Sequence, residues 1–381
     1  MTNIFNTKIL QFFEIGDEFD KKKMNLSRKK FIASFIEGMC ISRSVQFGEI
    51  AFFFNEKVKE ESNMRRIQSF FADYELNYTQ LAILLISFIP HTKYRICIDR
   101  TNWMFGNKDI NVLALTIYYK GTSIPIIFEM LDKKGNSNQE ERIDLLSRFI
   151  DIFGHKCIRS VVADREFIGQ KWLSFLIENK IKFHLRIPKS HYIEFRNEIK
   201  RGDELLSIHG KCFLKNIKIK GFILNLAMDF SKNKNGEDDP LLVLTNTKNE
   251  ETLSVYKERW SIEVFFQSLK KRGFNLEDTH LKDTDRIAKL FALTNIAFVI
   301  CLTIGGYADA CEKEIPIKNH GYKANSYFRH GLNIVRSLLI KPILMKERLE
   351  DLSDFVLNFA KSIFEYSTKK MVKIKSEKII M

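Results

Sequence analysis

The fold is decided by three consecutive runs of the sequence, RICIDR at 95–100, INVLALTIYYK at 110–120 and TSIPIIFEML at 122–131. Each run is rich in β-branched and other apolar residues, which is typical of strands. Lys120 and Gly121 form a turn signal between the second run and the third. The sequence therefore predicts three consecutive strands from residue 93 onward.

Helical and strand patterns alternate after these three runs. An amphipathic helix is predicted near 140–153, a strand at RSVVAD (159–164), a helix near 171–179 and a strand at FHLRI (183–187). Three strands followed by such alternation predict an α/β fold with a mixed sheet flanked by helices. Residues 188–240 hold short β-like runs and the polar turn SKNKNGEDDP, and we interpret them as a β-rich insertion into this order.

The chain has 381 residues, of which 45% are hydrophobic, so it is long enough for two or three domains and unlike a disordered chain. Helical patterns dominate on both sides of the predicted sheet. We expect a helical DNA-binding domain at 1–92, a catalytic core at 93–275 with its insertion at about 188–240, and a helical C-terminal region at 276–381. The last region is a candidate for dimerisation.

Net charge points to a polyanionic partner. Lys and Arg number 61 against 47 Asp and Glu, which leaves +14 at pH 7. A basic chain of this kind favours nucleic acid as the partner. The Lys-rich composition of an AT-rich genome is the alternative explanation of the charge.

The cysteines and the start of the chain favour a cytoplasmic protein. The six cysteines form no C-x-x-C pair, so neither a zinc ribbon nor a disulfide framework is indicated. The first residues lack the basic region and cleavage site of a secretory leader. Residues 290–306 are uncharged and just long enough to span a bilayer, but a buried core helix explains them, and we expect no membrane partner.

A candidate DNA-contacting helix lies at SNMRRIQSFFADY (62–74). Ser62 is a possible N-cap, Arg65 and Arg66 follow early, and apolar residues recur at helical spacing. The pattern resembles a recognition helix, with Arg65 and Arg66 contacting DNA. An ordinary packed helix with a solvated arginine pair explains it equally well.

Two carboxylates follow apolar runs in the predicted sheet. Asp99 follows Ile96–Ile98 and Asp164 follows Val161–Ala163, so both should lie at the ends of buried strands. Neighbouring carboxylates repel, and a divalent cation such as Mg²⁺ or Mn²⁺ between them relieves that repulsion. For either aspartate alone, a turn that ends a strand is the simpler explanation.

A charged stripe follows in the segment YKERWSIEVFFQSLKKRG (256–273). At about 100° per residue, Tyr256, Arg259, Glu263 and Lys270 fall on one side of a helix. Glu263 is then a third carboxylate, beside two cations and a phenol that suit the oxygens of a DNA phosphate. The alternative is a solvated face with ion pairs one turn apart.

The order of these motifs resembles that of the bacterial insertion-sequence transposases of the DDE class. The spacing Tyr-x₂-Arg-x₃-Glu-x₆-Lys, behind the aspartates of IDRTNW and VADREF, is similar to the Y-R-E-K signature of the insertion-sequence-four branch. The helical pieces around SRKKFIASF, SRSVQFGEIA and RRIQSFF are also similar to the N-terminal regions of these proteins. The resemblance extends over most of the chain.

The resemblance implies an RNase H-like core in which Asp99, Asp164 and Glu263 bind two Mg²⁺ ions, with Mn²⁺ as a substitute. It implies hydrolysis of a phosphodiester at the element's ends, followed by attack of the DNA 3′-hydroxyl on target DNA. The implied partners are double-stranded DNA, as terminal inverted repeats and as target, and a second copy of the chain in a homodimeric DNA complex.

One departure concerns the tryptophan that some members of this branch carry in the β-rich insertion, where it stacks on a flipped base. The tryptophans here are Trp103, Trp172 and Trp260, all outside 188–240. Aromatic residues of the insertion that can stack instead, or simply pack a small sheet, are Tyr192, Phe195, Phe213, Phe222 and Phe230.

Two other functions remain compatible with these motifs. One is an RNase H-like nuclease that cuts but never joins DNA. The other is an inactive relic that binds element ends. The complete set of three carboxylates argues against the relic, and the basic helical region before the core argues against a bare nuclease.

Overall fold

The computed structural model describes residues 4–17, 23–54, 58–233, 235–248, 251–319, 321–341 and 345–379. Its helices are α1 (Ile4–Asp17), α2 (Leu26–Ser42), α3 (Phe47–Phe52), α4 (Glu60–Asp73), α5 (Tyr78–Ile86), α6 (Gln139–Phe153), α7 (Gln170–Glu178), α8 (Gly202–His209), α9 (Thr252–Lys257), α10 (Trp260–Leu269), α11 (Thr284–Cys311), α12 (Tyr327–Ile340) and α13 (Lys346–Ile379). Its strands are β1 (Tyr94–Phe105), β2 (Lys108–Tyr119), β3 (Thr122–Met130), β4 (Ile158–Ala163), β5 (Phe183–Arg186), β6 (Tyr192–Phe195), β7 (Glu198–Arg201), β8 (Cys212–Ile219), β9 (Phe222–Asp229) and β10 (Leu241–Thr245).

The chain forms two compact units. Unit 1 comprises Met1–Pro90, Trp103–Ile110 and Phe265–Met381, and unit 2 comprises His91–Asn102 and Asn111–Val264. The helical regions expected at the two ends of the chain therefore group together in unit 1. Unit 2 contains most of the sheet.

The sheet confirms the expected α/β class. Within the described ranges it has ten strands in the order β3-β2-β1-β4-β5-β10-β9-β8-β6-β7. β4 runs parallel to both β1 and β5, whereas β3 is antiparallel to β2 and β10 is antiparallel to β5. The order β3-β2-β1-β4-β5 is that of an RNase H-like sheet. Along the chain, α6 connects β3 to β4 and α7 connects β4 to β5.

Burial explains why the central strands are continuous apolar runs. Ile96–Ile98 of β1 and Val161–Ala163 of β4 are completely buried, as is usual for parallel strands covered on both faces. Next to them, α6 begins with a capping box in which Asn138 and Glu141 satisfy each other's backbone amides. This helix packs against β3 and α7, so its amphipathic pattern has a physical partner.

The β-rich insertion continues the main sheet. β10 pairs with β9 along the whole of β10, from Leu241 opposite Asp229 to Thr245 opposite Asn225. β8 and β6 extend the sheet further. Among the insertion aromatics, the Tyr192 and Phe230 side chains are 68% and 65% exposed. The Phe195 ring instead lies edge-on to His209, with ring centroids 5.6 Å apart.

The helices of unit 1 enclose α11. This helix is long and apolar enough to cross a membrane, but 94% of its most apolar window is buried inside the protein. It therefore acts as the core helix of the unit, against which α12, α2, α4 and α5 pack. In the same unit α4 begins at Glu60 after Lys59, so the expected N-cap at Ser62 is wrong.

The contact between α11 and α12 depends on two glycines. A Cβ atom built on Gly305 would lie 1.9 Å from the Tyr327 carbonyl oxygen, and one on Gly331 would lie 1.8 Å from the Cys301 carbonyl oxygen. Both neighbours are backbone atoms, which have no alternative rotamer. The two helices therefore approach each other too closely for any residue other than glycine.

We expect Gly305→Ala to lower the free energy of unfolding by about 1–3 kcal/mol or more, because the methyl group forces α12 away from α11. The adjacent Gly306 has no atom within 4 Å of its built Cβ. Gly306→Ala should therefore be neutral or stabilise by up to about 1 kcal/mol through helix propensity. Urea unfolding of both variants measures the difference, and equal stabilities would contradict the close approach.

Candidate active site

Asp99 and Asp164 lie side by side on neighbouring parallel strands. The pairing of β1 with β4 ends at Ile98 opposite Ala163, so each aspartate is the next residue beyond the last pair. Asp164 directly follows its strand, as expected. The expectation that Asp99 ends a strand is wrong, because β1 continues to Phe105. At Asp99 only the pairing of β1 with β4 ends.

The two carboxylates are oriented in the same way. The backbone N–H of Arg100 donates to Asp99 Oδ1 at 2.7 Å, and that of Arg165 donates to Asp164 Oδ1 at 2.8 Å. Each aspartate thus uses one oxygen to hold its own turn of backbone. The other oxygen of Asp99, Oδ2, accepts a hydrogen bond from the Arg259 guanidinium.

Glu263 comes from α10, and the expected continuous helix over 256–273 is broken into pieces. α9 ends at Lys257, a turn contains Arg259, α10 follows, and a π-helix occupies Lys270–Phe274. At the start of α10 the Ser261 hydroxyl hydrogen-bonds with that of Ser123 on β3 at 2.6 Å. This buried contact attaches the start of α10 to the sheet, and it thereby helps to position Glu263 relative to β3.

Arg259 joins two of the three carboxylates. Its Nη1 donates to Asp99 Oδ2 at 3.2 Å, and its Nη2 donates to Glu263 Oε1. The Arg259 side chain is only 9% exposed. The Tyr256 hydroxyl donates to the third carboxylate, at Asp164 Oδ1, over 3.2 Å. The Arg259 guanidinium also lies 5.9 Å from the centroid of the Tyr256 ring. This contact links the two hydrogen-bonded groups, so that five of the expected site residues form one network.

Burial sets the protonation of this network. Desolvation raises the pKa of Asp99 to about 7, an effect that Arg259 opposes and nearby Asp164 reinforces. Burial also raises the pKa of Tyr256, which keeps its hydroxyl protonated as a donor. Burial lowers the pKa of Arg259, but the surrounding acidic groups outweigh it and raise the pKa overall. The guanidinium is therefore a permanent positive charge among three carboxylates.

Lys270 lies in unit 1, at the first residue of the π-helix. Its Nζ pairs with Glu277 Oε1 at 2.8 Å and lies 5.5 Å from the Trp103 ring centroid. The change from α- to π-helix at this residue interrupts the expected stripe. A phosphate contact by Lys270 stays a prediction.

Arg65 and Arg66 lie on the exposed surface of α4. The Arg66 guanidinium lies over the Phe54 ring, 5.5 Å from its centroid. Ile67, Phe70 and Phe71 of the same helix are buried. The helix thus packs by one face and presents the arginine pair on another, which leaves the predicted DNA contact open.

Sequence reasoning missed an ion pair that connects the two aspartate motifs. Arg100 Nη2 lies 3.5 Å from Glu166 Oε2, and Arg100 Nη1 donates to Asn111 Oδ1 at 3.2 Å. Arg100 follows Asp99, and Glu166 follows Asp164 by two residues. The pair therefore ties β1 to the turn after β4. Its only sequence signal was that both residues lie inside the quoted motifs IDRTNW and VADREF.

The donor set fits a divalent cation in its chemistry. Within the described ranges, no group of three or more His, Cys, Asp or Glu side chains is arranged to hold a metal ion as it stands. However, Asp99 Oδ2 and Glu263 Oε1 already converge on a cation, the Arg259 guanidinium. Carboxylate oxygens are the ligands that Mg²⁺ and Mn²⁺ prefer. Binding of such an ion by both residues requires Arg259 to leave them.

Comparison with known proteins gives a family and several similar solved structures, one of which covers most of the chain. Residues 90–300 match the family described as "Transposase DDE domain". That structure is the cryo-electron microscopy structure of a piggyBac transposase synaptic complex with hairpin DNA, with 12% sequence identity, a TM-score of 0.44, and coverage of 94% of this chain and 83% of that chain. A search of curated proteins found no match.

We expect Arg259→Gln to make the stability of the protein dependent on divalent cations. Loss of the guanidinium leaves Asp99 and Glu263 without their shared cation, and in EDTA this should lower the free energy of unfolding by about 3–5 kcal/mol. Added Mg²⁺ should then raise the melting temperature of the variant more than that of the wild type. Calorimetry with Mg²⁺ and Mn²⁺ should show tighter binding to the variant.

Arg95→Gln is the matched control, because Arg95 is similarly buried in unit 2 but pairs with Glu258. It should lower stability without changing the response to Mg²⁺. An equal Mg²⁺ response in the two variants would show that Arg259 does not compete with the cation.

Proposed function

The chain belongs to the transposase DDE domain family, and we propose that it cleaves the ends of an insertion sequence and joins their 3′-hydroxyl groups to target DNA. The single observation that carries this proposal is the network in which Arg259 and Tyr256 contact Asp99, Asp164 and Glu263. That arrangement also favours the insertion-sequence-four branch of bacterial transposases, since the Tyr, Arg and Glu of its signature meet at one site.

In this proposal each carboxylate has a defined task. Asp99, Asp164 and Glu263 hold two divalent cations, Mg²⁺ or Mn²⁺. When bound, these ions supply activation of the attacking oxygen and stabilisation of the leaving oxygen. Tyr256 keeps Asp164 oriented through its 3.2 Å hydrogen bond. Asp99 is held by the backbone of Arg100, so its ligand oxygen keeps one direction.

Arg259 has two positions in the proposed cycle. Without DNA it neutralises Asp99 and Glu263, as the two ion pairs describe. When a phosphodiester enters, the guanidinium turns to the phosphate oxygens, for which its planar fork is suited. DNA binding thus frees Asp99 and Glu263 from Arg259, so that both carboxylates are available to the cations.

The partners in this proposal are double-stranded DNA, as terminal repeats and as target, and a second copy of the chain in the DNA complex. Arg65, Arg66 and Lys270 contact the DNA backbone. The net charge of +14 favours such a polyanionic partner.

The test of the activity is replacement of each carboxylate by its amide, as Asp99→Asn, Asp164→Asn and Glu263→Gln. Each variant should lose Mg²⁺-dependent cleavage and strand transfer, by about 1000-fold or more, because one charged ligand is missing. The substrate is DNA that carries the repeats flanking the gene. Denaturing gels measure cleavage, and ligation into a supercoiled plasmid measures joining.

Asp144→Asn is the control, since Asp144 is an exposed residue of α6 in an ion pair with Arg148. It should cleave and join like the wild type. Cleavage at the wild-type rate by Asp164→Asn would refute the assigned site. Cleavage without joining by the wild type would favour a nuclease.

DNA binding by α4 makes a separate prediction. Each phosphate contact contributes about −0.9 to the slope of log K against log salt. We therefore expect Arg65→Ala combined with Arg66→Ala to flatten the slope by about 2 and to weaken binding. Fluorescence anisotropy across a salt series measures both effects.

Arg348→Ala is the control for loss of an arginine, because it removes one arginine charge that is paired with Glu312. Its slope should stay near the wild-type value. If the double variant of α4 also keeps the wild-type slope, the backbone contacts lie elsewhere, and the lysines of the β8–β9 region are the next to examine.

A further inference from the structure

The ion pair between Arg100 and Glu166 bridges the two backbone segments that carry the aspartates. The register of β1 with β4 stops one residue before Asp99 and Asp164, so strand pairing alone does not set the separation of the two carboxylates. Arg100 Nη2 lies 3.5 Å from Glu166 Oε2. This contact crosses from one segment to the other at the level where the pairing has ended.

Arg100 is held firmly on its own side of this bridge. Its backbone N–H donates to Asp99 Oδ1 at 2.7 Å. Its guanidinium donates to Asn111 Oδ1 at 3.2 Å and to Asn136 Oδ1 at 3.1 Å. Asn111 is only 2% exposed, and its side-chain amide donates to two carbonyl oxygens of the loop between β3 and α6. A displacement of Arg100 therefore disturbs both Asp99 and this loop.

Glu166 is equally constrained on the other side. It lies in the turn after β4, which the Phe167 N–H closes by donating to the Asp164 carbonyl oxygen at 2.9 Å. The Phe167 ring is completely buried, and the Arg142 guanidinium lies 4.8 Å from its centroid. The backbone of Glu166 thus has a fixed position between Asp164 and an anchored ring.

The bridge is shielded from solvent. The side chains of Arg100 and Glu166 are 14% and 18% exposed. Arg100 Nε and Glu166 Oε1 are both buried, and neither atom has a hydrogen-bond partner among the described residues. Salt screens a partly buried pair less than a surface pair. Loss of one partner leaves the other charge poorly solvated, so the two segments then have reason to move apart.

We propose that Arg100 and Glu166 are positioning residues that set the separation of the Asp99 and Asp164 carboxylates for binding a divalent cation. The inference rests on the proposed function and deepens it, because it names what holds two of the three metal ligands in place. Arg100 and Glu166 act through the aspartates and touch neither the cation nor the DNA. Groups that orient metal ligands in this way commonly change metal affinity by about 10–100-fold.

Positioning and simple electrostatics predict opposite results for Arg100. If charge alone mattered, Arg100→Gln would remove a positive charge near the site and bind a cation more tightly. If the bridge positions the ligands, the same change binds a cation more weakly. The two explanations also differ at Glu166. Charge alone makes Glu166→Ala and Glu166→Gln equal, whereas the amide oxygen of the Gln variant can still accept from Arg100.

Calorimetric titration of the DNA-free full chain with Mn²⁺ measures these differences, well below the melting temperature of each variant. We expect Arg100→Gln and Glu166→Ala each to weaken binding by about 10–100-fold, and Glu166→Gln to weaken it less. Combining Arg100→Gln with Glu166→Ala should weaken binding no further than the more affected single variant, because the pair acts as one unit. The Mn²⁺ concentration for half-maximal DNA cleavage should rise in the same order.

A second ion pair of the same unit supplies the matched controls. Arg148 Nη2 lies 2.6 Å from Glu129 Oε2, and neither residue belongs to an aspartate motif. Arg148→Gln and Glu129→Gln remove the same charges as the test variants, and both should bind Mn²⁺ like the wild type. DNA affinity in EDTA should stay unchanged in all of these variants.

Unchanged or tighter Mn²⁺ binding by Arg100→Gln would overturn the inference, and so would equal losses in Glu166→Ala and Glu166→Gln. If Arg100→Gln does not fold, the comparison at Glu166 decides alone. Wild-type protein that cleaves and joins DNA, with the same metal dependence in every variant, rejects the positioning role and leaves the proposed function standing. The expected order of Mn²⁺ affinities in a protein that never cleaves DNA rejects the proposed function alone.

Discussion

The active site depends on the repulsion between negative charges that the sheet brings together. Parallel pairing of β1 with β4 makes Asp99 and Asp164 neighbours, and the Ser123–Ser261 hydrogen bond sets Glu263 above them. Three carboxylates in a partly buried place are unfavourable without a cation. The ion pairs of Arg259 and the hydrogen bond of Tyr256 relieve that repulsion within the chain itself. The surrounding strands and helices hold these five side chains within contact distance of one another.

The same requirement explains the spacing of the Tyr, Arg and Glu along the sequence. Tyr256 lies in α9, Arg259 in the turn, and Glu263 in α10. The break between α9 and α10 allows the Arg259 guanidinium to reach both Glu263 on α10 and Asp99 on β1. A site that carries its own positive charge keeps its shape when no other cation is bound. In the proposed function, movement of Arg259 away from Asp99 and Glu263 is part of DNA recognition.

Sequence patterns predicted the parts of the fold that depend on burial. Ile96–Ile98 and Val161–Ala163 are continuous apolar runs because parallel strands are covered on both faces. The neighbouring positions of Asp99 and Asp164 follow from those two strands, although β1 continues past Asp99 to Phe105. The position of Glu263 on the same side as Arg259 follows from the helical period, although the helix is broken before Trp260. The π-helix at Lys270–Phe274 was not predicted from the helical period, and the phosphate contact of Lys270 stays a prediction.

Other differences have equally specific physical causes. Ser62 does not cap α4, because Glu60 and Glu61 already form its first turn and Asn63 donates to the Ala51 carbonyl oxygen from inside the helix. The insertion joins the main sheet through the pairing of β9 with β10, a contact that no local pattern encodes. The Arg100–Glu166 pair likewise joins residues that are distant in sequence. Contacts between residues so far apart in the sequence could not be predicted from local sequence patterns.

The close crossing of α11 and α12 has a consequence for biosynthesis. α11 is complete at Cys311, but the helix that covers its glycine surface is complete only at Ile340. At about 5–20 residues per second, the ribosome needs a few seconds to make the intervening chain. During that interval α11 lacks the helix that covers its glycine surface, and it is a natural binding site for the chaperones that recognise nascent hydrophobic segments.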